Sequence, residues 1–191
     1  MQTIQQIAIN EDTYLKQLEL ADAEQLFLLT DSNRENLMEW LPWLNYTKKV
    51  EDSRQFIQAT IHQYNDNRGI HYGIWYQGRL AGTVGVHTVD WINKKTSIGY
   101  WLGAQFQGKG LMTEAVATYL DVLIFGSWDL EKVTIQAATE NDKSRSIPQR
   151  LGFQLEGILR RNEFLYDHYV DHATYSLLKE EWLNWKAGKK S

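Results

Sequence analysis

Gln107-Gly108-Lys109-Gly110-Leu111-Met112-Thr113-Glu114-Ala115, directly after the apolar run Ile98-Gly99-Tyr100-Trp101-Leu102, reads as a strand feeding a glycine turn into a helix. Glycines let the chain turn tightly with its N–H groups exposed. The first turn of a helix adds unpaired donors and a positive dipole end, so a diphosphate can be held there without basic side chains. Leu111, Met112, Ala115, Val116, Tyr119, Leu120, Leu123 and Ile124 recur at three-to-four spacing. That spacing predicts a helix with one buried face and hence a rigidly mounted turn.

Other readings of the turn fare differently. Gly103 to Lys109 fits the opening of a P-loop, but Gly110 stands where a Ser or Thr hydroxyl must bind Mg²⁺, and Gly103 still belongs to the strand. No G-x-G-x-x-G is present and the neighbouring strands come as hairpins, so a dinucleotide fold fails as well. A plain strand-to-helix turn stays open on these residues alone, because glycine turns before helices are common.

A second segment, Asn141-Asp142-Lys143-Ser144-Arg145-Ser146-Ile147-Pro148-Gln149-Arg150-Leu151-Gly152-Phe153, follows the β-rich run Val133 to Ala137. With the glycine turn it resembles the GNAT acetyltransferase superfamily. In that family the signature Q/R-x-x-G-x-G/A gives backbone donors to the pyrophosphate of acetyl-CoA, and Gln107 and Gly110 lie in its register. Met112 departs from the usual Gly or Ala, so its larger side chain is expected to point into the core. Leu18 to Glu24, Asn33-Arg34, Trp40-Leu41-Pro42-Trp43, Gln107 to Gly110, and Asn141-x-x-Ser144 through Gly152-Phe153 look like the RimJ/RimL branch. That branch acetylates N-termini of ribosomal proteins.

The resemblance runs from Thr13 to Trp185 and implies an α+β (mixed α/β) GNAT acyl-CoA N-acyltransferase fold, one domain over residues 1–191, with a mostly antiparallel mixed sheet flanked by helices. It implies acetyl-CoA as co-substrate, no metal, and an amine acceptor, with a protein N-terminus leading. The cofactor contacts it implies are Trp101, Leu102, Gln107, Gly108, Lys109, Gly110, Leu111, Met112 and Asn141. Asn33, Arg34, Trp40 and Trp43 would face the substrate, although the Trp side chains could equally be core.

Composition agrees. At 191 residues, with 43% hydrophobic and 13% aromatic content, the chain suits one domain with a substantial core. The absence of Cys rules out a disulfide framework and a cysteine nucleophile, and fits a reducing compartment. Met1 to Gln6 has neither a basic region nor an apolar core, so no secretory signal is expected. No apolar run is long enough to span a membrane. A cytoplasmic protein is the expectation. The formal charge of −4 argues against a broad nucleic-acid surface, which needs clustered Lys and Arg. Local basic spots at Lys48-Lys49, Lys94-Lys95, Arg160-Arg161 and Lys186 to Lys190 read as solvated faces, one of which could meet the 3′-phosphate of CoA.

Periodicity predicts a strand near Thr13 to Leu18, a helix from Ala23 with Asp22 as N-cap, a short helix carrying Leu37, Trp40 and Leu41, and a helix over Ser53 to Asn65. That last helix repeats Phe56, Ile57, Thr60, Ile61 and Tyr64 on one face. Ile70 to Tyr76 and Leu80 to Val86 alternate about the Gln77-Gly78 turn as a hairpin, and Asn93 to Lys95 breaks to the strand ending at Leu102. A Val133 strand, a helix closing at Gly152, a hairpin of Phe153 to Ile158 with Thr174 to Leu178, and a helix ending near Lys186 complete an α+β pattern. An interior proline costs about 3 kcal/mol, so Pro148 predicts that its helix starts near Ser144 or Arg145, or kinks.

Acetyl transfer to an amine needs a neutral amine, and an α-amine has a reference pKa of about 7.7 to 8.0 against roughly 10.4 for lysine, so a carboxylate can suffice as base. In the RimL type a Glu nineteen residues after the Ser of N-x-x-S serves, and Ser144 to Glu163 has that spacing. By itself Glu163 also reads as an exposed strand-end carboxylate. Ser144 is the candidate proton donor to the CoA thiolate, or else a helix-start cap. Asn141 would bind cofactor or substrate amides, or end the strand. Many GNAT enzymes use a Tyr where this chain has Pro148. His168 and His172 would share a strand face but lie about 13 Å apart, too far for a metal pair. Direct attack in a ternary complex is the expected mechanism. Acetylation of a polyamine or aminoglycoside, a non-catalytic acyl-CoA-binding module, and a homodimer are the alternatives left open.

Overall fold

Among the described residues, 4–189, this computed structural model has eight strands: β1 (Gln6–Ala8), β2 (Thr13–Gln17), β3 (His71–Tyr76), β4 (Arg79–Asp90), β5 (Lys95–Leu102), β6 (Lys132–Ala138), β7 (Gln154–Leu165) and β8 (His168–Leu178). Its helices are α1 (Ala23–Ser32), α2 (Arg34–Met38), α3 (Val50–Asn65), α4 (Leu111–Tyr119), α5 (Asp142–Arg150) and α6 (Lys179–Lys189). The chain forms two units, one of residues Met1–Val86 with Tyr100–Thr118 and the other of His87–Gly99 with Tyr119–Ser191. The α+β class expected from the sequence holds, and no described helix is long and apolar enough to cross a membrane.

In the first unit β1 to β4 pair antiparallel in chain order. Gln77 and Gly78 turn the β3–β4 hairpin with φ of +50° and +73°, the twist a two-residue hairpin favours. The hairpin expected from alternation is there, and Tyr72 to Trp75 and Leu80 to Val86 are buried without a break, as in strands covered on both faces. α1 packs on α3, burying Leu26, Leu29, Ile57 and Thr60, whereas Phe56 stays exposed.

Three local expectations change. Asp22 stands at the start of α1 but makes no cap bond; its Oδ2 accepts the Glu19 N–H at 2.9 Å and lies 3.4 Å from Lys16 Nζ. α3 starts at Val50, because the Asp52 carboxylate accepts the N–H groups of Lys48 and Lys49 at 2.8 and 3.0 Å, bonds that hold its pKa down. α2 ends at Met38, before Trp40 and Leu41.

In the second unit the first half of β5 pairs parallel with β6, β6 antiparallel with β8, and β8 antiparallel with β7. The final hairpin is longer than expected and turns at Tyr166-Asp167, with two register shifts in β7. α5 starts at Asp142 and keeps Pro148 inside it. The missing Pro148 N–H removes only the bond to the Ser144 carbonyl, and the helix ends two residues later. Gly152, at φ +81°, closes it as expected, with Phe153 N–H on Pro148 O at 3.0 Å and Gly152 N–H on Gln149 O at 3.3 Å. Residues 120–127 are π-helical, a widening that periodicity did not foresee, yet Leu120, Leu123 and Ile124 are buried as predicted. α6 runs past Lys186 to Lys189, held by Trp182 Nε1 donating to Asp121 Oδ1 at 3.2 Å and by a Lys186 contact to the same oxygen.

Candidate active site

The first unit holds the glycine turn. β5 ends at Leu102, a 3-10 turn spans Ala104–Phe106, and Gly108 and Gly110 take φ of +76° and +80° before α4 begins at Leu111. An L-residue with a Cβ resists that conformation, which is the physical reason for glycine here. The Gly110 carbonyl accepts the first helical N–H, from Glu114, at 3.1 Å. Among the described residues Gly108, Lys109 and Gly110 donate no backbone hydrogen bond, so three successive amides are left beside the first-turn donors of α4, a set of groups of the kind that suits an anion. Leu111 and Met112 are buried, Met112 pointing into the core as its size required, so the turn is anchored from below.

The side chains around it have definite partners. Gln107 Nε2 donates to Leu102 O at 3.2 Å, tying the turn to the strand. Lys109 Nζ lies 5.1 Å above the Tyr76 ring and Arg79 lies 5.6 Å above Phe106, a cation and aromatic set from the β3–β4 hairpin that sequence reading missed. Asn33 is buried; its Oδ1 accepts the Ala104 N–H at 2.7 Å and its Nδ2 donates to Leu29 O at 2.8 Å, so it joins α1 to the start of the turn. Arg34 donates to Leu44 O and Thr47 O at 3.0 and 2.6 Å, fixing the Trp-Leu-Pro-Trp segment. Trp43 faces Trp101 with ring centroids 6.0 Å apart, and both are half-buried, as is Trp40.

The second unit holds the other candidates. Asn141 Oδ1 accepts the Ser144 N–H at 3.0 Å and caps α5, so Asn141 is the cap and Ser144 is the third helical residue, half-buried. Arg145 and Gln149 both donate to the buried Tyr175 hydroxyl at 3.2 Å, locking α5 onto β8. Glu163 sits in β7 with Oε2 at 3.4 Å from His172 Nε2. Ala138, the last residue of β6, is the register partner of His172, so the start of α5 and Glu163 lie toward the same end of this sheet. His172 was read from sequence only as half of an unconvincing metal pair. No spacing rule could reveal it, because the contact depends on the register of β7 against β8. His168 instead bonds Asp167 at 2.7 Å, and among the described residues no group of three or more His, Cys, Asp or Glu could hold a metal ion.

Known proteins share the sequence and fold of this chain. The GNAT acetyltransferase domain matches residues 12–154. YdaF of Bacillus subtilis, provisionally named a ribosomal N-acetyltransferase, is 37% identical over 91% of this chain and 95% of its own. Among solved structures, the microcin C7 self-immunity acetyltransferase MccE in complex with acetyl-CoA and AMP superposes with TM-score 0.87 at 32% identity, covering 92% of this chain and 97% of that one. RimL, the ribosomal L7/L12 α-N-protein acetyltransferase in complex with coenzyme A, gives TM-score 0.87 at 26% identity over 91% and 97% of the two chains.

Proposed function

The chain belongs to the GNAT acetyltransferase family, and from that premise we propose that it acetylates the N-terminal α-amine of a protein, with a ribosomal protein as leading acceptor. That it is an acetyl-CoA-dependent acetyltransferase follows from the family and its relatives. The observation that carries the site assignment is the run of undonated amides at Gly108, Lys109 and Gly110, which fits a diphosphate. Gln107 and the first turn of α4 complete that cradle, and Trp101, Leu102 and Asn141 border the cofactor. Bound acetyl-CoA supplies the thioester whose acetyl group moves to the amine. Glu163 takes the proton of the acceptor ammonium so that the neutral nitrogen bonds to the acetyl carbon; as the carbon–sulfur bond breaks, Ser144 gives its proton to the sulfur and takes back the one that the newly acylated nitrogen sheds.

An α-amine suits a lone carboxylate base, since it is already partly neutral near pH 7. The ribosomal name given to YdaF and the L7/L12 α-N-protein acceptor named for RimL support this choice, and with it a cytoplasmic location, where ribosomes work. We read residues 1–191 as one acetyltransferase domain. Ser144→Ala is expected to lower turnover more than acetyl-CoA affinity, because it acts as the thiolate forms; a pure affinity loss would make Ser144 a positioning group. A second reading, an amine carried on a nucleotide, is favoured by the facing indoles of Trp43 and Trp101 and by the AMP bound to MccE. CoA release would be measured with peptides bearing free N-termini, the same peptides blocked at the N-terminus, spermidine, and a stable aminoacyl-adenylate analogue. Fastest turnover of the free peptides supports the proposal. Preference for either small amine rejects it. Mass spectrometry of host ribosomal proteins with and without this protein then identifies the target.

A further inference from the structure

β7 does not run smoothly past β8. Leu159 pairs with His172 and the next registered pair is Glu163 with Val170, so Arg160, Arg161 and Asn162 together face the single residue Asp171. Within this bulge Arg161 takes φ +50°, and its N–H donates to Asp171 Oδ1 at 2.7 Å. Bulges re-aim side chains. A regular strand would send the neighbours Asn162 and Glu163 to opposite faces, yet both reach one imidazole: Asn162 Nδ2 lies 3.0 Å from His172 Nδ1, and Glu163 Oε2 lies 3.4 Å from His172 Nε2.

One tautomer of the histidine fits all of these contacts. Gln136 of β6 donates through Nε2 to Thr174 Oγ1 at 3.4 Å, which turns its Oε1 toward Asn162 Nδ2, also at 3.4 Å. With Asn162 Nδ2 donating to Gln136 Oε1, its second proton is available to His172 Nδ1 in the tautomer where that nitrogen accepts. In that tautomer the ring proton sits on Nε2, the nitrogen that lies 3.4 Å from Glu163 Oε2. Among the described residues the ring is in an ion pair with Glu163 alone: Asp171 is turned to Arg161 N–H, the Arg161 guanidinium lies 6.0 Å above Tyr169, and the β6 partner is Ala138. The His172 side chain is 13% exposed against 34% for Glu163, so the carboxylate forms the outer member of the row.

We infer that His172 is the positioning residue of the Glu163 base, an inference that rests on the acetyl-transfer reading above. Neutral and protonated on Nε2, it steadies Oε2 and leaves Oε1, which makes no hydrogen bond or ion pair among the described residues, to face the acceptor amine. The relay Gln136, Asn162, His172, Glu163 crosses three strands and aims one carboxylate oxygen outward.

The test pairs spectroscopy with kinetics on the full chain, using whichever amine of the acceptor panel turns over fastest. In ¹⁵N-histidine-labelled protein at neutral pH, His172 should carry its proton on Nε2, and Asn162→Leu should erode that preference. His172→Ala should lower kcat about tenfold with KM for acetyl-CoA unchanged, a smaller loss than the roughly 10²- to 10⁴-fold expected from removing the base itself. His172→Gln, which keeps a donor, should recover most of it. An Nδ1-protonated ring overturns the relay. Wild-type kcat in His172→Ala beside a slow Glu163→Gln overturns the role of His172 alone, whereas wild-type kcat in both variants overturns the base assignment and this inference with it.

Discussion

Glu163→Gln keeps shape and hydrogen bonding but removes the proton-accepting charge, so turnover should fall roughly 10²- to 10⁴-fold at neutral pH while acetyl-CoA affinity holds. Raising the pH toward about 9 should partly restore it by supplying neutral amine, beginning lower for an α-amine than for lysine. A wild-type rate from pH 6 to 9, with chemistry rate-limiting, would remove Glu163 as the base. Gly110→Asp tests the anion cradle at the same scale. A Cβ at Gly110 meets only Glu114 Oε1, at 3.9 Å, and φ of +80° is a conformation Asp and Asn tolerate better than other side chains, so the variant should fold. It should nonetheless lose acetyl-CoA binding in calorimetry, because a second carboxylate joins Glu114 where amides await a diphosphate. The uncharged Gly110→Asn separates charge from backbone strain, and equal losses in both would count against the cradle. Glu114 is itself tethered by Asn10 Nδ2 at 3.0 Å, a contact across the first unit that the glycine pattern does not announce.

Elements matter through how they begin and end. The α5 cap from Asn141 to Ser144 N–H orients the residue proposed to protonate the thiolate, so Asn141→Ala should destabilise the protein by about 1 kcal/mol. Asn141→Ser should recover most of that in denaturant unfolding. If Asn141 serves only as a cap, Asn141→Ser will also restore turnover; an activity deficit with stability restored assigns its amide to the cofactor. The start of α5 shows how far local reasoning reaches. Proline energetics predicted a start near Ser144 or Arg145, or a kink, but the Asn141 cap sets the start at Asp142, and Pro148 falls where the helix is already closing. The glycine turn and the Schellman ending at Gly152 were legible because positive φ is a property of the residue itself. The length of the β7–β8 hairpin was not, since its bulged strand breaks the period-two pattern by which strands are read.

For the whole molecule, acid resistance should depend on Asp129. Lys179 and Lys94 bond its carboxylate and hold its pKa down to about 2. A depressed carboxylate stabilises the fold above its unfolded pKa of about 3.9, and that contribution disappears as pH falls through the folded value. Asp129→Asn should therefore melt at a lower temperature than wild type at pH 7, with the difference closing between about pH 4 and pH 2; a gap independent of pH would mean that hydrogen bonding, not charge, dominates. Lys94, one of the basic spots read from sequence as a solvated face, is thus an ion-pair partner. The sequence by itself determined the α+β class, the glycine turn and the buried face from Leu111 to Ile124, because backbone sterics and side-chain period act between residues close along the chain. Tertiary structure alone decided that Asn33 holds the Ala104 amide, that Trp43 faces Trp101, and that a bulge brings Asn162 and Glu163 to His172. Such contacts depend on strand register and on closing long loops, and a change of one residue in register would turn every one of those strand side chains to the other face.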